Sequence, residues 1–482
     1  MTEGRCLSLR DPSGRLFELD GRLIRVVEAD AAADIDPILA WLAHARPFGR
    51  GRVVTSTRLD DSSAFELYRR LRDAGDRMVP PALVLEHEKI EIVSYPYEWA
   101  PAMLHAAGAL TLELAEDALG HGFGLKDATP YNVLFEGPEP VFVDLLSFER
   151  RDANDPTWLA CGQFMRSFIL PLLLNSHFGM PVTQTLLARR DGPEPEEAYR
   201  VGRGWRGPLT GGFLTTVTIP MLLGRLVGSD PAWLYKRRMA RSATEASFVL
   251  RALFGRLRRL LERTAPGRRS SHWTGYREDS ERGLPEYMEA KRAFVQRALE
   301  THSSRRVLDV GCNTGEFSRL AARTGASVVA IDSDPQVVDE LWREARERNE
   351  PILPLVVDLA RPTPGIGWLN QECPSFLERL DGAIDCVLML AIVHHLRVTE
   401  GIPLAEIVRL MASLTSDIAV IEFVDPRDPM FRRLARGREH LYVDYTRDTF
   451  ERDCAEFFEV VQQTLVNDST RWLYLLKKRI RG

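Results

Sequence analysis

The stretch "VLDVGCNTGEF", residues 307–317, constrains this chain more than any other. An apolar run holding a single acid breaks at two glycines, Gly311 and Gly315, and "EFSRLAARTG" follows with helical periodicity. Glycine has no Cβ, so the backbone can turn sharply there and approach a ligand, while the helix that follows offers free N–H groups. The alternation then repeats. "SVVAIDSD", "LPLVVD", "DCVLMLA" and "IAVIEFV" are strand-like, and "VVDELWREARER" and "LAEIVRLMASL" are helical. Apolar strands separated by helices predict a parallel, doubly wound α/β sheet. The tail, "FEVVQQTLV" and "RWLYLLKKR" joined by "NDST", predicts a terminal antiparallel hairpin.

A glycine loop alone is shared by NAD, FAD and other ligand-binding folds. The acids around it narrow the choice. Asp309 lies in the first strand, Asp332 ends the second and Asp358 ends the third. At those places a carboxylate can accept from ribose hydroxyls (Asp332) and from an adenine amine (Asp358). Residues 285–480 thereby resemble the class I S-adenosylmethionine-dependent methyltransferases, with a Rossmann-like sheet. Asn313 stands where many members have a second glycine, and asparagine tolerates the left-handed backbone. A NAD-dependent dehydrogenase, the rival for the motif, lacks the terminal antiparallel pair. The resemblance implies S-adenosyl-L-methionine as cofactor, bound by Asp309, Gly311, Asn313, Gly315, Asp332 and Asp358. A base is needed only where the acceptor must lose a proton. His394 and His395 in "LAIVHHLRV" are the candidates, with packing at a strand end as the alternative role. The long connection "IEFVDPRDPMFRRLARGREHLYVDYT" is expected to wall the acceptor site, with Tyr442 and Tyr445 lining it, and Trp273 and Tyr276 are candidates to cap the cofactor.

Upstream, "GLKDATPYNVLFEGPEPVFVDLLSFE" holds Asp127, Asn132 and Asp144. A strand, a hinge-like "SYPYEW", a long helix, D-x-x-x-x-N and a strand ending in Asp resemble the protein kinase and aminoglycoside phosphotransferase fold. That resemblance implies Asp127 as catalytic acid and Asn132 and Asp144 as metal ligands for Mg-ATP. Departures are plain: Leu145 and Leu146 follow Asp144 in place of Phe-Gly, Lys126 precedes the acid, and no glycine-rich phosphate loop is visible. Only Arg25 or Lys89 can supply a cation, so weak nucleotide binding and little or no phosphoryl transfer are expected.

A chain of 482 residues exceeds one hydrophobic core. We read residues 1–265 as a kinase-like accessory domain (small β-containing lobe 1–95, helical lobe 96–265), 266–284 as a linker and 285–482 as the methyltransferase domain. The C-terminal sheet and core are expected to be complete when cut free near Gly275. Among N-terminal elements, "RLFELDGRLIRVV" predicts a hairpin, Asp36 and Ser63 are expected helix caps, and "PALVLEHEKIEIVSYPYEW" predicts two strands. The basic helix "RALFGRLRRLLERTAPGRR" is expected to cover a domain edge. Six dispersed cysteines argue against zinc and disulfides and for a reducing cytoplasm. The net charge of −5 does not advertise nucleic acid, without excluding it, and no apolar run reaches membrane-spanning length. The arrangement is similar to bacterial two-part methyltransferases, some labelled nodulation-related. The combined reading is a cytoplasmic methyltransferase for a small-molecule or glycan-type acceptor, with a first domain that recognises substrate or nucleotide. The alternatives are a bifunctional phosphotransferase-methyltransferase and a non-catalytic cofactor sensor.

Overall fold

The computed structural model describes residues 5–8, 10–44, 52–73, 81–202, 213–218, 239–267, 285–466 and 469–479. The chain opens with a five-stranded antiparallel sheet in the order β1-β2-β3-β5-β4. Its strands are β1 (Arg5–Cys6), β2 (Gly14–Leu19), β3 (Arg22–Val27), β4 (Ser56–Arg58) and β5 (Leu83–His87). The expected hairpin joins β2 to β3, with Leu19 opposite Arg22. Asp20 and Gly21 both have positive φ (52° and 78°), the two-residue turn whose twist matches its strands.

Alternation divides this sheet into two faces. Phe17, Leu19, Ile24, Val26 and Val84 pack on Leu67, Tyr68 and Leu71 of the helix Asp61–Asp73. Val27, Leu83 and Leu85 join the main core on the other side. Asp60, rather than Ser63, caps that helix, its carboxylate accepting from the N–H of Ser62 and Ser63. The preceding helix spans Ala29–His44, so Asp36 lies inside it and pairs with Arg58. Only the first of the two strands expected over residues 81–99 forms. The rest runs into a 3-10 turn, Pro96–Glu98, where the Glu98 carboxylate accepts from the Tyr95 N–H at 3.0 Å.

The helix Pro101–Gly120 is buried on nearly every side. β6 (Phe123–Leu125) pairs with β9 (Phe148–Arg150), enclosing the hairpin of β7 (Val133–Glu136) and β8 (Glu139–Phe142). Helices follow, and Pro195–Gly202 forms one inside a stretch whose glycines and prolines predict a loop. The basic helix Ala243–Arg263 buries Leu250, Phe254, Leu257 and Leu261, and Leu261 reaches Gly108 of the helix beneath.

The C-terminal half holds a seven-stranded sheet in the order β12-β11-β10-β13-β14-β16-β15. β10 (Arg306–Val310), β11 (Ser327–Asp332), β12 (Ile352–Val356), β13 (Cys386–Met389) and β14 (Ile418–Val424) run parallel. β15 (Phe458–Leu465) and β16 (Arg471–Lys478) form the antiparallel pair beside β14.

The C-terminal half, expected to have a complete core of its own, shares it with the first half. A single core runs from Trp99, Met103 and Leu104 to Val337, Val338 and Trp342, so the two halves share it. Ala102, in the first turn of its helix, lacks an intrahelical acceptor for its N–H and donates instead to Asp339 at 2.7 Å. Trp342 donates to the Pro138 carbonyl at 2.9 Å. Arg379 pairs with Glu98 where both side chains are nearly inaccessible. The C-terminal sheet is complete by itself, but its flank of helix Pro335–Arg348 is not.

Candidate functional site

The glycine loop sits between β10 and the helix Glu316–Arg323. Gly311, Asn313 and Gly315 all take positive φ (69°, 48° and 78°). A Cβ on Gly311 would strike the Ile392 side chain, and one on Gly315 the Leu341 side chain. Packing of the protein's own side chains and the positive φ both favour glycine at these two positions. The N–H groups of Gly311 and Cys312 donate to the Ile331 carbonyl at 2.8 and 3.0 Å, tying the loop to β11.

Asp332 holds the same junction from its side chain. One carboxylate oxygen accepts from the Asn313 N–H and the other from the Asp334 N–H, each at 3.0 Å. Burial raises its carboxyl pKa against those two donors. Asp309 is fully enclosed and accepts from the Ser318 hydroxyl at 2.6 Å, and burial pushes its pKa up to about 6. Asp358 accepts from the Ala360 N–H and from Arg361, which also pairs with Glu400. The buried Asn313 Oδ1 has no partner among the described residues. Two acids at the ends of β11 and β12 and an orphaned acceptor in the loop fit a nucleoside-bearing cofactor.

β13 leads through Ala391, in the left-handed region at φ 59°, into the short helix Val393–Val398. A non-glycine residue held there is uncommon and marks a site where the chain is locally over-determined. His394 is 2% exposed, and neither ring nitrogen has a partner among the described residues. Its ring centroid lies 4.3 Å from that of His395. Burial, with His395 and Arg471 nearby, lowers the His394 pKa to about 3, so the ring is neutral. Burial lowers His395 as well.

Sequence reasoning passed over a buried charge cluster beside these histidines. Glu422, in β14 and wholly inaccessible, pairs with Lys291 at 2.5 Å and Arg471 at 3.2 Å and accepts from the Tyr287 hydroxyl. Arg471 also bonds Asp428 at 2.9 Å. Burial works to raise the Glu422 pKa, but Lys291 and Arg471 overcome it and hold the group at about 2. Lys291 lies 4.9 Å from the Phe317 ring centroid and near enough to Asp309 to lower that acid's pKa. The one visible signal was Glu422 itself, a lone acid in the apolar run "IAVIEFV".

The expected acceptor wall is packed instead. Tyr445 is fully buried between Phe423 and Phe431, and the Tyr442 hydroxyl donates to the Val398 carbonyl at 3.1 Å. Trp273 and Tyr276 lie outside the described residues.

The upstream trio does gather, in a cleft under the first sheet. Asn132 Nδ2 donates to Ser147 Oγ at 2.9 Å, and Ser147 Oγ donates to Asp144 at 2.5 Å. Arg25, from β3, reaches both Asp144 and Asp11 at 3.1 Å. Burial, then Asp144, raises the Asp127 pKa. Lys89 is on the surface, paired with Glu18. Among the described residues no group of three or more His, Cys, Asp or Glu side chains is placed to hold a metal ion. Of the expected ligands, Asn132 is engaged through its amide nitrogen, and Asp144 is engaged through Oδ2 with Ser147 and lies beside Arg25 through Oδ1.

Comparison with known proteins agrees with the C-terminal geometry. A methyltransferase-domain family model matches residues 279–463. The nodulation protein NoeA of Rhizobium meliloti (strain 1021) is 31% identical over 477 residues, covering 98% of this chain and 95% of that protein. Among solved structures, the bifunctional kinase-methyltransferase WbdD is 20% identical, with 39% of each chain covered and a TM-score of 0.30. The N-methyltransferase NodS from Bradyrhizobium japonicum is 13% identical, with 40% of this chain and 96% of that one covered and a TM-score of 0.30. With a relative this similar over almost its whole length and a methyltransferase domain behind its glycine loop, the chain belongs to the family of nodulation protein NoeA and is an S-adenosylmethionine-dependent methyltransferase.

Proposed function

We propose that the enzyme methylates a hydroxyl group of a small-molecule or glycan-type acceptor in the cytoplasm, and that His394 takes the acceptor's proton. The observation that carries this reading is a buried, neutral imidazole with both ring nitrogens unpartnered, just past β13. An amine acceptor brings its own lone pair, whereas a hydroxyl is a weak nucleophile until its proton has somewhere to go. S-adenosylmethionine, when bound, supplies a methyl group on a sulfonium that departs with its bonding electrons on sulfur. The residues orient and desolvate. Asp332 accepts from ribose hydroxyls, Asp358 accepts from the adenine amine, and Asp309 braces the Gly311–Gly315 loop through Ser318. Lys291, beside Asp309 and Phe317 and paired with Glu422, adds positive charge on that side of the loop. Glu422 and Asp428 offset part of the burial and of the opposing charge of Arg471 that hold the His394 ring neutral.

Residues 1–265 are read as a kinase-like recognition domain, joined by 266–284 to the methyltransferase domain 285–482. The antiparallel sheet, the buried helix and the Asp127 loop support this arrangement, and the internally bonded Asn132 and Asp144 favour recognition over phosphoryl transfer. Six unpaired cysteines suit the cytoplasm, and no helix among the described residues is long and apolar enough to cross a membrane.

The test incubates full-length protein with methyl-labelled cofactor and a metabolite extract, following label transfer and S-adenosylhomocysteine. Label in an O-methyl ether, lost in His394→Ala, is the expected result. Cofactor binding without S-adenosylhomocysteine formation in any extract fraction would instead indicate a cofactor sensor.

A further inference from the structure

The cleft beneath the first sheet contains buried polar atoms that the methyl-transfer site does not use. Arg25 is 6% exposed, and its Nε is buried without a partner. One of its terminal nitrogens lies 3.1 Å from Asp144 Oδ1 and 3.1 Å from Asp11 Oδ2. His87, two residues beyond Leu85 on the neighbouring β5, is equally enclosed. Its Nδ1 lies 2.7 Å from the Ser56 hydroxyl, and its Nε2 is unpartnered. Burial first, then Arg25, keeps that ring neutral, while Asp144 works in the opposite sense. Lys126 Nζ is occupied with Ser13 Oγ at 3.1 Å. Asp127, half-buried beside Asp144 and Asp11, is engaged by no hydrogen bond among the described residues.

A magnesium ion needs near-octahedral oxygen ligands at about 2.1 Å. Asp144 Oδ1 lies 3.1 Å from the Arg25 guanidinium, an ion pair without an aligned hydrogen bond among the described residues, and Oδ2 accepts from Ser147. An added dication at Asp144 would sit against a permanent positive charge in a desolvated place, where screening is weakest. We propose that Arg25 takes the place of a divalent cation in this cleft, making it a metal-free recognition site that neither binds nor transfers a magnesium-bound triphosphate. Three carboxylates against two cations leave the cleft with a net negative charge, which disfavours a bare polyphosphate too. The group it receives is a hydrogen-bond donor, met by Asp127.

This inference rests on reading the first half as a recognition domain. Its test leaves methyl transfer untouched, so the two can fail separately. Full-length protein is titrated into Mn²⁺ and followed by electron paramagnetic resonance, and ATP is titrated calorimetrically with magnesium and with EDTA. Wild-type protein is expected to leave the free-ion Mn²⁺ signal intact and to give no ATP heat under either condition. Arg25→Met is expected to attenuate the Mn²⁺ signal at least fivefold, and Arg25→Met with Asp144→Asn to restore it. Circular dichroism checks that the variants are folded. Mn²⁺ binding by wild type that Asp144→Asn abolishes, or magnesium-dependent ATP binding, overturns the proposal. Should Arg25→Met be unfolded, the wild-type measurements still decide.

Discussion

Replacing Glu422 by Gln removes the one anion shared by Lys291 and Arg471 in a place without water. The carboxylate is wholly inaccessible and its pKa falls from an ordinary 4.5 to about 2. A depression of that size corresponds to roughly 3 kcal/mol of stabilisation of the folded state, at about 1.4 kcal/mol per pKa unit. Breaking a buried ion pair from one side costs about 3–5 kcal/mol, so two independent routes agree on scale. In a domain of this size each kcal/mol moves the melting temperature by about 2–4 °C, which predicts a loss of roughly 6–12 °C. The pH dependence has a definite sign. A group whose folded pKa is depressed contributes stability that is present above its unfolded pKa and is lost as pH falls through the folded value. The gap between wild type and Glu422→Gln should therefore be full at pH 7, narrow below about pH 4.5 and close near pH 2. Circular dichroism melts at several pH values measure it. A variant that melts within a degree or two of wild type at pH 7 would refute the claim that this cluster is held by charge.

His394→Ala should lower kcat by about 10²–10⁴-fold while leaving the cofactor dissociation constant within twofold, measured by turnover and calorimetry on the same preparation. Equal losses in both would reduce His394 to a packing residue. Asp309→Asn removes a buried charge whose folded pKa is raised to about 6. Its effect should be stabilising at pH 8, by up to about 3 kcal/mol, and should vanish near pH 4, where wild type is already neutral, as melts across that range will show. Arg379→Met leaves Glu98 buried and unpaired between the halves, so it should cost about 3–5 kcal/mol by thermal unfolding. By the same reasoning, a C-terminal half cut at Gly275 should bind a hydrophobic dye and melt below the full-length protein, because Val338 and Trp342 lose their cover.

The parts of this fold visible in the sequence were those governed by local periodicity. Each apolar strand from Val307 to Val424 announced itself, as did the Asp20-Gly21 turn and the terminal hairpin. The positions of Asp332 and Asp358 were legible from where strands end, and that of Asp309 as the lone acid within the first apolar strand. Helix starts were missed by a few residues where two acceptors competed: Asp60 precedes Ser63, and both can cap. Other features depended on chain segments distant in sequence. Glu98 and Arg379, Ala102 and Asp339, or Lys291 and Glu422 become partners only after the sheet has formed. Gly311 shows the same limit at one position. Its glycine is expected from the approach of a ligand, and the fold adds a second reason in Ile392, a residue eighty-one positions later. Tyr442 and Tyr445 looked available because their loop is long, but Phe423 and Phe431 enclose Tyr445.

The most direct test of the central claim is calorimetric titration of S-adenosylmethionine into full-length wild type and Asp332→Ala. Asp332 both ties Asn313 to the end of β11 and, on this account, receives the ribose hydroxyls. Wild type should bind the cofactor, and the variant should bind it more weakly by roughly 1.5–3 kcal/mol, about 10- to 150-fold, through loss of charge-assisted hydrogen bonds. Equal affinity in the two proteins, with the variant melting normally, would contradict placement of the cofactor at the Gly311–Gly315 loop.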